Sequence, residues 1–549
     1  MQISMITPRR WQWIGLMIFL LASLTLFVPV AHAATITVTT TDDEDNMDGD
    51  CSLREAIIAA NTDTGVDACL AGSGADIIEL PAGAYVLTIA GKNENFAEKG
   101  DLDLTTDLTI EGAGRTVTII DANNLDRVLQ ISAGNTVQIS GVGLTGGRLG
   151  ANFGGGILVE SGSTLLLTNS RVNSNDAAGG GGIYVSDSTL TLTNSRVNGN
   201  NSTGEGGGIY VSNSTLTLTN SRVDGNDANS AGGGMLVSSS TLTLTDSRID
   251  GNNGSYTGGG IDVESGTMTL TNSRINDNTA GYSGGGIDAG SGIMTLTNSR
   301  VYSNTVTGSG GGISLSLGTM TIIGSQVSTN TSGFAGGGIS SGGALTLVNS
   351  TMSGNKAVAT GGGINVVIGT TSLYNVTITN NIADSNADDD GDGGGVYITL
   401  TDGTLTATHS IIGGNVDNSP ASNQHPDCSG LLTSQGYNLI EDTTGCTIGG
   451  DTTGNITGTS PNLGPLQNNG GQTLTHALLA GSPAIDAGNP AGCLDQAGLS
   501  LTTDQRGFVR PVDGDGDTIS VCDMGAYEYD SPGSTSPADL VVYLPFIQK

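Results

Sequence analysis

Short runs of alternating apolar and polar residues recur along most of the chain and predict β-strands. Within residues 180–205, Ile183 and Val185 flank a tyrosine, and Leu190 and Leu192 lie between threonines. Glycine, asparagine and serine separate the runs, as expected for strands joined by turns. Each such stretch predicts three short strands, and none carries apolar residues at helical spacing.

A glycine triplet followed by an aliphatic residue opens each stretch and recurs with a nearly fixed period. Gly154, Gly180 and Gly206 start 26 residues apart, a period typical of repeat architectures and too short for a propeller blade. The strands are too short to bury a face within one repeat, so successive repeats must stack as coils. The pattern predicts an all-β, right-handed parallel β-helix. The triplets begin at Gly154, Gly180, Gly206, Gly232, Gly258, Gly284, Gly310, Gly336, Gly361 and Gly393.

One asparagine occupies the same position in successive repeats. Stacked asparagines can hydrogen-bond from side chain to side chain and tolerate left-handed turn geometry. We therefore expect a structural ladder along the solenoid. Its members are Asn175, Asn200, Asn226, Asn252, Asn278, Asn304, Asn330, Asn355 and Asn381.

A serine also recurs at the repeat period, and an arginine follows it in six repeats. Because side chains alternate along a strand, we expect these arginines to point outward. The column is a candidate ligand face for an anionic polysaccharide. The alternative is a solvated column that nearby Asp224 and Asp250 neutralise, and exposed pairs of that kind add little stability. The arginines are Arg171, Arg196, Arg222, Arg248, Arg274 and Arg300.

The first residues have the features of a bacterial secretory signal. Arg9 and Arg10 precede the apolar stretch Trp13–Val30, and Ala31–Ala33 forms an A-x-A cleavage site. We expect an exported, secreted or surface-located chain, with no transmembrane segment after cleavage. The twin-arginine route and a retained anchor are the alternatives.

The net charge of the full sequence, −34, argues against nucleic acid as a partner. Composition divides the chain into regions. An S-x-x-E box at Ser52–Glu55 predicts a capping helix through Ala60. The predicted regions are a signal peptide (1–33), an N-terminal cap with irregular coils (34–153), regular repeats (154–416), a C-terminal module (417–530) and a linker with an apolar tail (531–549).

Six cysteines lie outside the regular repeats, and fifteen connectivities are open to them. Export and closeness in sequence favour three local disulfides that hold the two ends of the rod. Free or metal-binding thiols are the alternative, although no C-x-x-C spacing supports them. The expected pairs are Cys51 with Cys69, Cys428 with Cys446, and Cys493 with Cys522.

Two acidic segments have the oxygen-rich pattern of a calcium loop, and Ca²⁺ is the one cofactor that the sequence suggests. Hard oxygen ligands at alternate positions can wrap this ion, although Thr399 replaces the closing glutamate in the first segment. Solvated acidic loops are the alternative. The carboxylates are Asp388, Asp390 and Asp392 in the one lengthened repeat, and Asp513, Asp515 and Asp517 near the C terminus.

Three sets of motifs resemble those of bacterial surface proteins. Cys51–Ile57 (CSLREAI) resembles the CSLREA domain, and the GGGI repeats with Val172–Asn175 are similar to repeats of chlamydial polymorphic outer membrane proteins. Ser460–Gly471, Gly481–Gly488 and Cys522–Tyr529 resemble the choice-of-anchor Q module. The resemblance implies a secreted or surface-attached right-handed β-helix of the pectin-lyase-like class, and it implies no particular reaction.

The uniform repeats predict a structural or adhesive rod that binds extracellular polysaccharide or cell-envelope components through its lateral faces. No unique catalytic cluster stands out, so we expect no catalytic residues. The alternative is a carbohydrate-active enzyme. It would be a calcium-dependent polyuronate lyase near Asp388–Asp392, with Lys356 one coil earlier, or a glycoside hydrolase using two carboxylates. Calcium-regulated assembly through the acidic loops is a third possibility.

Overall fold

The computed structural model describes residues 33–530, apart from residues 93, 389, 400–401 and 421–422. The predicted signal peptide up to residue 32 and the predicted linker and tail (531–549) lie outside the described residues. No helix among the described residues is long and apolar enough to cross a membrane.

Stacked parallel strands form a β-helix, which confirms the predicted all-β fold. Within one coil, Ile183–Ser186 lies on a first face, Thr189–Thr193 on a second and Arg196–Asn198 on a third. A short fourth ladder, which the sequence pattern did not predict, contains Asn201–Glu205. Each strand pairs in parallel with its equivalent in the next coil, so that like residues face each other.

The first two faces share the long strand Cys428–Gln435 near the C-terminal end of the β-helix. The first face also contains Leu102–Leu104, Leu129–Ile131, Ile157–Val159, Ile183–Ser186, Ile209–Ser212, Met235–Ser238, Ile261–Val263, Ile287–Ala289, Ile313–Leu315, Ile339–Ser341, Ile364–Val366 and Val396–Ile398. The second face also contains Thr35–Thr37, Asp76–Leu80, Leu108–Gly112, Thr136–Ser140, Thr164–Thr168, Thr189–Thr193, Thr215–Thr219, Ser240–Thr245, Gly266–Thr271, Ile293–Thr297, Thr319–Ile323, Ala344–Val348, Gly369–Tyr374, Gly403–Thr408 and Cys446–Asp451.

The third face and the short ladder complete the coils. The third face contains Gly83–Val86, Thr118–Asp121, Gly143–Thr145, Arg171–Asn173, Arg196–Asn198, Arg222–Asp224, Arg248–Asp250, Arg274–Asn276, Arg300–Tyr302, Gln326–Ser328, Thr351–Ser353, Thr377–Thr379, Ile411–Ile412, Leu439–Ile440 and Ile456–Thr457. The short ladder contains Asp176–Gly179, Asn201–Glu205, Asp227–Ala228, Asn253–Gly254, Thr279–Ala280, Thr305–Val306, Thr331–Ser332, Lys356–Ala357, Ile382–Ala383 and Val416–Asp417.

The apolar residue of each alternating pair points into the coil. Ile183, Val185, Leu190, Leu192 and Val197 are all fully buried. Equivalent residues of successive coils contact each other and form one continuous core along the solenoid. Because burial of apolar surface is the main favourable term in folding, stacking supplies the stability that one coil lacks.

The glycine triplets are required by the turn that enters the first face. Gly180 has φ 58°, a left-handed conformation that favours glycine. A Cβ on Gly181 would lie 2.2 Å from the carbonyl oxygen of Asn201, and one on Gly182 would lie 2.6 Å from that of Gly208. The first glycine therefore serves backbone conformation, and the other two allow neighbouring strands and turns to pack closely.

A short helix covers the N-terminal end of the solenoid. It spans Leu53–Thr62, two residues beyond the predicted end at Ala60. Ser52 and Glu55 form the predicted capping box, in which each side chain accepts a hydrogen bond from the other residue's backbone N–H. The disulfide between Cys51 and Cys69 closes the segment that contains the helix.

The C-terminal module begins later than the sequence predicts. Coils continue past residue 417 through Cys428–Gln435, Leu439–Ile440, Cys446–Asp451 and Ile456–Thr457. The disulfide Cys428–Cys446 joins two of these coils and lies within the β-helix. The module proper follows Thr457. It contains the antiparallel pair Leu463–Gln467 and Thr475–Leu478 and the disulfide Cys493–Cys522.

The module packs against the side of the solenoid, whereas we expected its disulfide to hold the end of the rod. Its residues cover the third face from Gln326 to Leu439, where Leu474 N–H donates to Gln326 Oε1 at 3.1 Å. Its small apolar core, which includes Met524, contacts Ile411 and Leu439 on the outside of that face. Burial of these outward side chains explains why the arginine column stops at Arg300.

Candidate functional site

A cleft of about 560 Å³ opens on the first face near the N-terminal end of the solenoid. Lys92, Glu94 and Asn95 line one side, and a loop that includes residues 149–153 lines the other. Strands of the first face place Gln130 and Leu158 on its floor. Asp101, Asp126 and Arg127 complete the lining, so the cleft brings acidic, basic and apolar groups together.

Hydrogen bonds fix the polar groups of this cleft. Arg127 donates from Nη1 to Asp101 Oδ2 at 3.2 Å and to the side-chain oxygen of Gln130. The Gln130 amide in turn donates to Asn95 Oδ1 at 3.3 Å and to Glu160 Oε1 at 3.4 Å. The guanidinium therefore joins Asp101 to Gln130, and Gln130 extends the network to Asn95 and Glu160.

Burial raises the pKa values of the carboxyl groups around Arg127. Burial raises the pKa of Asp101 to about 6, although the charge of Arg127 opposes the shift. Behind it, burial and then the charge of Asp101 raise the pKa of Asp103 to about 7. Burial also raises the pKa of Asp126. Carboxyl groups that titrate near neutral pH inside a cleft are typical of sites that bind or transform a ligand.

Aromatic side chains continue the cleft along the first face. Phe153 lines the cleft and stacks on Tyr184 with ring centres 4.7 Å apart. Tyr184 makes an edge contact of 5.1 Å with Tyr210 in the next coil. In strand register, Leu158, Tyr184 and Tyr210 occupy one outward position. The aromatic column (Phe153, Tyr184 and Tyr210) therefore extends the cleft over three coils.

The sequence analysis missed this site. Asp101 and Asp103 lie in a strand-like run, and Arg127 belongs to no motif. The lining residues come from separate turns and strands of several coils and meet only when the coils stack. The tyrosines at the position after GGGI were the only available signal, because Tyr184 and Tyr210 recur at the repeat period.

The first predicted calcium loop does not bring its three carboxylates together. Asp388 accepts a hydrogen bond from the backbone N–H of Asp390 within its own turn. Asp392 instead lies beside Asp417 and His425, and its Oδ1 is 2.5 Å from His425 Nδ1. The structure therefore does not group Asp388, Asp390 and Asp392, and calcium binding by this loop stays a prediction. Lys356 is exposed on the short ladder.

The second predicted loop converges in part. Asp513 and Asp515 lie close to Asp486, with one carboxylate oxygen of each within 4.8 Å of the others. Asp517 is not part of that group, and its Oδ1 accepts a hydrogen bond from Ile519 N–H. Asp486 comes from the GSPAIDAG motif, so this motif meets the acidic segment here.

The predicted disulfide partners and ladders occupy defined places. The structure joins Cys51 to Cys69, Cys428 to Cys446 and Cys493 to Cys522. The nine asparagines form a buried ladder that continues to Asn415 and ends on Asp427. The left-handed geometry lies one residue earlier, as at Gly199 with φ 60°, and not on the asparagines as expected.

The comparisons with known proteins concern the fold. Residues 128–299 match the family model described as "Right handed beta helix region". Among solved structures, "Crystal structure of pectate lyase Pel9A" aligns with 12% identity and a TM-score of 0.27. That alignment covers 91% of this chain and 98% of that one. None of the curated proteins matches. With its stacked parallel strands and this family match, the chain has the fold of a right-handed parallel β-helix.

Proposed function

We propose that this protein is an exported, surface-located rod that binds glycans along the first face of its β-helix. The observation that carries the proposal is the continuity between the cleft and the aromatic column. Sugar rings present C–H faces that pack on aromatic rings and hydroxyl groups that need hydrogen-bond partners. The cleft offers Asp101, Asp126, Arg127 and Gln130 for the hydroxyl groups, and Phe153 and the tyrosines offer the apolar surface.

Two features support export. The expected signal sequence precedes the mature chain, and three disulfides are typical of oxidising compartments. Stacked coils share one continuous core, so a chain with few aromatic residues can form a stiff rod. Fractionation of the native host with detection of the processed N terminus near Ala34 tests the location. Retention of the intact chain inside the cell would contradict it.

Glycan binding is tested with residues 34–549 on a panel of neutral and acidic oligosaccharides. Combined Phe153→Ala and Tyr184→Ala substitution should weaken binding about thirtyfold, because each of the two stacked aromatic contacts contributes about 1 kcal/mol. The matched control is Tyr256→Ala with Tyr282→Ala, since these rings stack at 5.0 Å on other coils. Equal binding by all three proteins would contradict the first-face site.

A second candidate function is acid–base hydrolysis of a glycan in the same cleft. The specific observation is the raised pKa of Asp101, about 6, beside the Arg127 guanidinium. A carboxyl group with such a pKa can stay protonated long enough to protonate a leaving oxygen, while a second carboxylate such as Asp126 acts as base.

Depolymerisation assays distinguish the two candidates. Purified protein would be incubated with polyuronates and neutral glycans, with and without calcium, and new reducing or unsaturated ends would be measured. Activity that Asp101→Asn abolishes would establish the hydrolase, whereas Asp390→Ala tests the lyase expected on the lengthened coil. If folded protein binds glycans and produces no new reducing or unsaturated ends, the glycan-binding rod is the supported function.

A further inference from the structure

Six arginines occupy one outward position of the third face in six consecutive coils. Parallel strands are about 4.8 Å apart, so the backbone positions of neighbouring arginines are one strand spacing apart. Strand register aligns Arg171, Arg196, Arg222, Arg248, Arg274 and Arg300 in this column.

The first three arginines have polar partners within the column. Arg171 Nε donates to Asn198 Oδ1 at 2.9 Å. Arg196 pairs with Asp224, and Arg222 Nη2 lies 2.7 Å from Asp250 Oδ1. These ion pairs follow from the aspartates that stand two residues after the arginine in the next coil.

The other three arginines lack such partners. Where the aspartate stood, the next coils have Asn276, Tyr302 and Ser328. In the part of the chain that the structure describes, the side chains of Arg248, Arg274 and Arg300 form no ion pair. Arg300 stacks over the Tyr302 ring at 4.7 Å, and its Nε is buried without a hydrogen-bond acceptor.

Neighbouring cations that form no ion pair are unfavourable in the free protein. Burial and the nearby charge of Arg274 lower the pKa of Arg300. A partly buried charge that lacks a partner costs free energy, and like charges one strand apart repel. An anionic ligand would offset both the cost of the unpaired charge and the repulsion between like charges.

We propose that Arg248, Arg274 and Arg300, here called the arginine strip, bind the sulfate groups of a linear sulfated polysaccharide. A sulfate has three terminal oxygens and can accept hydrogen bonds from two stacked guanidinium groups. A carboxylate has two oxygens, which a single guanidinium fork already engages. A sugar ring is about as long as the spacing between strands, about 4.8 Å, so successive substituents can face successive arginines.

Other extended polyanions fit less well. An acidic peptide in extended conformation places side chains of one face about 6.6 Å apart, which mismatches the strands. Nucleic acid needs a broad basic surface, and the net charge of −34 opposes it. At physiological ionic strength, charges more than about 8 Å away are largely screened, so the strip itself governs contact with a short ligand.

The two ends of the strip limit the length of the ligand. On one side Asp224 and Asp250 supply negative charge. On the other side the C-terminal module covers the next coil, where Leu474 bonds Gln326. The free strip spans three coils, or about 10 Å, which suits two or three sugar rings. This surface lies on a different face from the proposed glycan cleft, so the two can be tested separately.

The test uses residues 34–549 and a sulfated dextran oligosaccharide of six rings, measured by calorimetry at several salt concentrations. Substitution of all three strip arginines by glutamine should weaken binding about tenfold or more and reduce its salt dependence. The matched control replaces Arg196 and Arg222 by glutamine, which removes paired arginines of the same column. A double variant, Arg248→Gln with Arg274→Gln, retains Arg300 should the triple variant fold poorly.

We expect the strip variants to lose affinity for the sulfated oligosaccharide and the control pair to bind it unchanged. Arg274→Lys should retain part of the affinity. Equal losses in strip and control variants would mean diffuse electrostatic attraction and would overturn the proposal. Tighter, strip-dependent binding of a polyuronate of equal length would overturn the choice of sulfate. No binding of the sulfated probe by folded wild-type protein would also overturn it, while leaving the first-face proposal untouched.

Discussion

Buried asparagines join neighbouring coils through side-chain hydrogen bonds. Asn278 Nδ2 donates to Asn304 Oδ1 at 2.9 Å and to the Ile249 carbonyl at 3.0 Å. Its own Oδ1 accepts from the side chain and the backbone N–H of Asn252. A side-chain amide has one acceptor and two donors to offer, so each asparagine bonds to both neighbouring coils.

Replacing one ladder asparagine should destabilise the rod strongly. Asn278→Ala leaves donors of Asn252 and the Ile249 carbonyl without a partner, at a cost of about 3 kcal/mol. Chemical denaturation monitored by circular dichroism would measure the change. Asn253→Ala is the control, because Asn253 is exposed on the short ladder one coil earlier. Similar losses in both variants would contradict a special role for the ladder.

Several buried carboxyl groups make stability depend on pH. Burial and then the charge of Asp288 raise the pKa of Asp262 on the first face to about 7. A raised carboxyl pKa means that the folded protein holds its proton more tightly than the unfolded chain. That stabilisation is complete below the unfolded value near 3.8 and is lost as the pH rises through the folded value. The other groups with pKa values of about 6 or 7 are Asp101, Asp103 and Asp427.

The protein should therefore be more stable at pH 5 than at pH 8. Each unit of pKa shift corresponds to about 1.4 kcal/mol, so Tm should rise by a few degrees on acidification. Asp262→Asn should raise Tm at pH 8 and flatten the dependence, whereas exposed Asp187→Asn should change neither. Calorimetry at several pH values measures both, and a Tm that falls from pH 8 to pH 5 would contradict the expectation.

One buried arginine makes several of the contacts that join the C-terminal module to the solenoid. Arg510 Nε donates to Glu528 Oε2 at 2.6 Å, and Nη1 donates to Asn349 and Asn375 of the third face. Nη2 donates to the Gly525 carbonyl at 2.8 Å. The guanidinium thus links the CDMGAYEY motif to the turns before two third-face strands.

Loss of Arg510 should release the module and leave the coils intact. Arg510→Met leaves Glu528 buried without its counter-charge, and removal of one partner of such a pair costs about 3–5 kcal/mol. Hydrogen exchange should then increase in residues 463–530 and along the covered part of the third face. Arg248→Met is the control, and Arg510→Met with Glu528→Leu should recover part of the loss. Unchanged exchange in the module would contradict this account of docking.

At the level of elements, the strands were predictable and the docking was not. The alternation of apolar and polar residues identified the strands, because each strand buries only one of its two sides. The arginine column changes to Gln326 and then Thr351 where the C-terminal module covers the third face. The sequence shows this change but does not show which segment packs there. The first-face cleft was likewise unpredictable, because Asp101 and Arg127 meet through a contact between coils.

As a whole molecule, the rod is a sum of nearly equivalent coils. Deletion of residues 207–232 removes one complete repeat and joins Gly206 to Gly233, so the strand register is preserved. The shortened protein should fold and lose about 4.8 Å of length by small-angle scattering, because each coil contacts mainly its neighbours. Deletion of only residues 207–219 should abolish folding. A folded half-repeat deletion would contradict this additive description.

The sequence alone determined the solenoid, because a fixed period, alternating strands and glycine triplets each satisfy a local requirement that repeats in every coil. It also predicted the capping helix and the three cysteine pairs from neighbouring residues. Only the tertiary structure decided which face carries the cleft, where the module docks and which arginines lack partners. These features depend on residues from different coils, and their contacts are set by stacking and by packing across the solenoid's surface.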